Sequence, residues 1–208
     1  MRIILKKLFG LFNHFRNNYN EKAYPNIPKF VKIDADYTSD EYKQRVRELG
    51  FTKYETNLII KGIKKIFNND KATELEGFYA IDRNTKTWFY NPNGGPESVR
   101  RPKEMFNYLE KNIEAEMIVI HNHRGNTIPS PNDISALNST GNKGYGIIAC
   151  NNGDIYCYEI TKKLKYEIIE CFKKEDRQCE TMLQRKELLL KFCKENGIIF
   201  VESKKGGN

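Results

Sequence analysis

The amino-acid sequence predicts an α/β (α+β) fold, on three observations. Apolar residues recur at helical spacing through about residue 67. The period then changes: GFYAIDRNTKTWFYN is dense in aromatic and β-branched residues and reads as a β-hairpin with its turn at 82–84. Beyond it, helix-like and strand-like stretches alternate as far as residue 160.

Taken in order, Ile4, Leu8, Leu11, Phe12, Phe15 and Tyr19 share one side of a helical wheel, with Lys6, Lys7, Asn13 and Arg16 elsewhere. Residues 1–24 therefore read as a basic amphipathic helix, with His14 on its surface. It is expected to pack on the domain, the other option being peripheral membrane contact through residues 4–19. AYPNIPKF, with two prolines, reads as a linker. Thr38 and Glu41 form a capping box that opens a helix to Leu49, and Gly50 stops it. A second helix spans about Lys53 to Phe67. After the hairpin, Pro102 begins a helix in RPKEMFNYLEKNIEA, which delivers the chain to the strand EMIVIHNH. A short helix follows, then KGYGIIAC and DIYCYEI form a second hairpin around NNGD. From about Lys165 to Glu195 the chain reads as one long, charged helical stretch.

Composition bounds the function. Twelve Tyr and twelve Phe supply material for a packed core, so disorder throughout is excluded. No segment approaches the about 20 consecutive apolar residues of a membrane span. MRIILKKLFGLF makes a poor secretory signal, because Lys6 and Lys7 interrupt it and no small-residue cleavage site follows. Five cysteines without CxxC spacing argue against a disulfide framework or a cysteine zinc site, and fit a cytoplasmic protein. The net charge of +8 is uneven: residues 25–160 carry eighteen charges of each sign, so the excess belongs to the two ends. Such ends are solvated helix faces or contacts for nucleic acid.

The chemistry concentrates in MIVIHNHRGNTIPSPNDISAL, residues 117–137, which hold two of the three histidines. In a strand, alternate side chains share a face, so His121 and His123 point the same way and Asn122 points away. Two imidazoles on one face can converge on one ion. Ser130-Pro131-Asn132-Asp133 is a helix start, with Ser as N-cap, Pro first and Asp third. Asp133 could serve the cap alone, but a strand carrying His-x-His just upstream makes it the candidate third ligand. Three protein ligands leave zinc a fourth position for water, whose pKa it lowers to about 7. A carboxylate elsewhere must then act as base. Glu74 and Glu76 in ATELEGFYAID are both candidates, since residues two apart share a face.

HNHRGNTIPSPND resembles the JAMM signature of the JAB/MPN metalloprotease superfamily: His-x-His, a short loop, Ser-x-x-Asp, and a Glu upstream. The RadC-like and phage-associated bacterial branch is the most similar, and GGPESVRRPKEMFNYLEKNIEAEMIVIHNH resembles its approach to the motif strand. The likeness covers about residues 72–160. It implies a mixed, curved sheet flanked by helices, with Zn2+ held by His121, His123 and Asp133 and with Ser130 stabilising the oxyanion. Counting back eight residues from Asp82, or three from Gly77 in the family's Glu-x-x-Gly pattern, selects Glu74 as the catalytic glutamate. Two departures stand out. The loop RGNTIP has six residues where the family usually has seven, and Arg124 replaces a proline, placing a group for carboxylate or phosphate beside the metal.

The expected organisation is a basic helix at 1–24, a linker and helical pair at 25–70, a JAB/MPN-like metal domain at 71–162 and a charged helical arm at 163–208. The expected function is zinc-dependent hydrolysis of peptide or isopeptide bonds, with a polypeptide substrate such as a ubiquitin-like conjugate or a phage- or defence-related chain. The alternative is a RadC-like binding module with weak or no catalysis, acting at nucleic acid through its basic ends. An HNH nuclease is disfavoured, because that motif scatters its residues over a ββα unit.

Overall fold

In a computed structural model that describes residues 31–206, except 70, 71, 73, 97 and 142, helices and strands build a six-stranded mixed sheet flanked by helices on both faces. The strands are β1 (Phe78–Asp82), β2 (Trp88–Asn91), β3 (Met117–His123), β4 (Gly144–Cys150), β5 (Ile155–Ile160) and β6 (Ile199–Ser203), in the order β2-β1-β3-β4-β5-β6. Every neighbouring pair is antiparallel except β3 and β4. A parallel pair needs a crossover, and here the connection carries the predicted short helix. The helices are α1 (Asp40–Glu48), α2 (Lys53–Phe67), α3 (Lys103–Lys111), α4 (Pro131–Asn138), α5 (Tyr166–Asp176) and α6 (Met182–Asn196).

Alternation along the strands sorts the core into two layers. Met117, Val119, Ile148 and Tyr158 face α3–α6, meeting Met105, Ile134, Ile169, Phe172, Leu189 and Phe192. Ile118, Ile120, Ile147 and Cys157 face α1 and α2, meeting Tyr42, Val46, Ile59 and Ile63. Strands buried on both faces read as continuous apolar runs, which MIVI and GIIAC are. The helix α2 crosses β1 at Gly62, where a Cβ would come within 2.4 Å of the Tyr79 ring, so the close approach needs glycine.

Several expectations change at their edges. Ser39, not Thr38, caps α1, accepting from Tyr42 N–H; Thr38 is taken up by the Asp36 carboxylate through its own N–H and hydroxyl. The helix α3 ends at Lys111 rather than Ala115, because Asn112 leaves helical geometry and its side chain closes on the Tyr108 carbonyl. The C-terminal stretch is two helices, not one, since Thr181 and Gln184 form a capping box that starts α6 afresh. It is also no separate arm: Ile169, Phe172, Leu189, Phe192 and Ile198 belong to the core, and β6 completes the sheet. No helix among the described residues is long and apolar enough to cross a membrane. The expected basic helix at 1–24, with its membrane option, and most of the linker lie outside the described residues.

Candidate metal centre

The strand β3 is buried along its whole length and ends at His123. By alternation His121 and His123 join the face of Met117 and Val119, under α4, and both are over nine-tenths buried. The chain leaves through the loop 124–129 and enters α4 at Ser130. Here the Asp133 carboxylate is shared. Its Oδ2 accepts from Ser130 N–H and from Ser130 Oγ–H, each at 2.7 Å, completing a capping box in which Ser130 Oγ accepts from Asp133 N–H. Its Oδ1 stands 3.2 Å from His121 Nε2. The helix start therefore serves as a bracket that turns one carboxylate edge toward the strand.

The three side chains meet. His121 Nε2 and His123 Nε2 are 3.0 Å apart, and Asp133 Oδ2 lies 3.5 Å from His123 Nε2. One nitrogen or oxygen from each of the three lies within 4.8 Å of the others. A tetrahedral zinc site, with bonds of about 2.0–2.1 Å, separates its ligand atoms by roughly 3.3 Å, so the spacing fits a first-row divalent cation. The donor set fits as well: two imidazoles and a carboxylate suit zinc. His123 Nδ1 sits 2.8 Å from the Thr127 carbonyl, which can only accept, so Nδ1 carries a proton and Nε2 is the nitrogen that could ligate a metal.

The electrostatics agree. Burial alone would suppress charge on His123, but the Asp133 hydrogen bond and charge, with a contribution from Glu76, raise its pKa to about 9. Burial alone would likewise raise Asp133, yet the charges and hydrogen bonds of His121 and His123 hold it well below the usual carboxylate range. One ionised carboxylate facing two buried imidazoles attracts positive charge.

The glutamate selected by the resemblance is not the one brought here. Glu76 is 6% exposed, its charge acts on His123, and its backbone pairs with Gly94 and Gly95. Extending the β1–β3 register beyond Phe78↔His121 sets Glu76 across from His123. Glu74 lies two residues farther out in a turn, partly exposed. Shared-face parity could not separate the two; the point where β1 begins does.

Ser130 is at the site, and its hydroxyl donates to the Asp133 carboxylate. Arg124 is not presented to a ligand: it is 2% exposed and donates to the Pro96 carbonyl. Asn122 faces the other layer, where its Oδ1 accepts from Gly77 N–H at 2.7 Å. Of the five cysteines, all free, Cys150 is paired with His123 across β3–β4. Glu76 was a candidate passed over for Glu74, and the residues missed by sequence reasoning are Asn126 and Thr127. The Gly125-Asn126 dipeptide, a turn signal, pointed to the last two. Comparison with known proteins finds no match to any family model, curated protein or solved structure.

Proposed function

We propose that this chain is a zinc-dependent hydrolase of peptide or isopeptide bonds, of the JAMM type, on a JAB/MPN-like core. The observation that carries the reading is the convergence of His121 Nε2, His123 Nε2 and the Asp133 carboxylate at the end of β3, at separations of 3.0–3.5 Å. These residues would hold the ion, which supplies Lewis-acid polarisation of the scissile carbonyl and acidifies a water. Glu76 is the base: its carboxylate would accept the proton of the attacking water and pass it to the leaving amine nitrogen as the C–N bond breaks. Ser130 keeps the Asp133 carboxylate turned toward the histidines, and Thr127 keeps the His123 ring in its ligating tautomer. Burial of both histidines excludes bulk water from their inner faces.

Elemental analysis of purified protein tests the reading. About one zinc per chain is expected, lost in His121→Ala and Asp133→Ala. Glu76→Gln should retain metal and fold while losing at least a hundredfold in cleavage of peptide and isopeptide-linked substrates, the scale of general-base catalysis. Glu74→Gln should stay close to wild type. A native chain without affinity for zinc would end the proposal.

A further inference from the structure

We infer that Asn126 is a positioning residue for the metal centre, clamping the loop 124–129 so that the Thr127 carbonyl fixes the His123 ring. The inference rests on the metal reading but not on hydrolysis. Three contacts carry it. Asn126 is one of two non-glycine residues with a left-handed backbone among those described, at φ +53°, and its N–H closes a turn onto the His123 carbonyl. Its side-chain Oδ1 accepts from Asn152 N–H at 2.9 Å, in the turn joining β4 to β5. The next residue, Thr127, then presents its carbonyl 2.8 Å from His123 Nδ1, with its hydroxyl 3.0 Å from the same atom.

The sequence of causes is short. The loop has only six residues in which to leave β3, reach α4 and return a carbonyl to the histidine it just passed. Asparagine tolerates the left-handed conformation better than most residues, which makes the tight turn inexpensive. The turn alone would leave the loop hinged at β3. The bond to Asn152 fastens it to the neighbouring strand pair, whose own turn is braced: Cys150 N–H donates to the Asp154 carbonyl, and Lys205 N–H donates to the Asp154 carboxylate. Thr127 is thereby held from two sides. Partners that orient a ligating histidine typically contribute 10- to 100-fold to metal affinity.

The test uses the full chain and two substitutions. Asn126→Gly preserves access to the left-handed backbone and removes the side chain with its Oδ1 acceptor; Asn126→Asp retains an acceptor and is the conservative rescue. Zinc dissociation constants from chelator competition should weaken about 10- to 100-fold in Asn126→Gly and return to within about threefold of wild type in Asn126→Asp. The imidazole 15N shifts of metal-free protein, recorded above the His123 pKa of about 9 where the ring is neutral, should show the Nδ1–H tautomer dominant in wild type and depopulated in Asn126→Gly, a change that general loosening of the fold does not produce. Wild-type affinity and tautomer in Asn126→Gly overturn the clamp while leaving the metal reading intact. A wild-type chain that binds no zinc overturns both.

Discussion

At the scale of single residues, charge and capping around the centre give two expectations. His123 is raised to about 9 from an ordinary 6.5 in the metal-free state. A group raised on folding contributes stability that is full below about 6.5 and disappears as pH climbs through the folded value. Metal-free protein should therefore lose stability to urea between about pH 6.5 and 9, and saturating zinc should remove most of that slope. A flat profile in chelator would show that the His123–Asp133 contact contributes nothing. Ser130→Ala removes the N-cap and should cost about 1 kcal/mol in denaturant unfolding, with a larger proportional loss of zinc affinity because Asp133 loses its bracket. The three converging side chains were legible in the sequence because His-x-His has the period of a strand and Ser-Pro-x-Asp is the grammar of a helix start. The carboxylate beside them was not, because Glu74 and Glu76 satisfy the same periodicity and only the strand boundary ranks them.

At the scale of elements, sequence signals succeeded where one local rule decides and failed where two compete. The helix α2 was anticipated at its observed bounds, and the structure shows a complete capping box from Thr52 and Glu55 at its start. Thr38 was expected to cap α1, but the Asp36 carboxylate engages Thr38 and the cap falls to Ser39. The strand β6 escaped notice because IIFV follows directly on a long helical pattern; the αL glycine at Gly197 marks where that pattern ends. The β4–β5 pair offers a sharp test. A Cβ on Gly146 would fall 2.0 Å from the ring of Tyr158, its buried cross-strand partner. Gly146→Ala should destabilise by about 1–3 kcal/mol through overpacking, visible as a lowered urea midpoint with unchanged slope.

At the scale of the molecule, the residues after β6 close on the β4–β5 turn. Asp154 accepts from Lys205 N–H, Lys204 Nζ and Asn152 Nδ2, joining the end of the sheet to the β4–β5 turn. Burial alone would raise its pKa, but these donors hold it below the usual value. A depressed carboxylate contributes stability that is present above its unfolded pKa of about 3.9 and lost as pH falls through the folded one. Asp154→Asn should thus lower stability at pH 7 by about 1–3 kcal/mol and leave a shallower acid transition, measured by unfolding between pH 2 and 7. A last consequence follows from Asn122. Sliding β3 by two positions along β1 would return every greasy side chain to its own layer, so water-avoidance by itself cannot tell the two alignments apart. The amide of Asn122 can, because only one alignment gives the Gly77 N–H its acceptor. The residue between the two histidines is the index mark that delivers both imidazoles to the correct address.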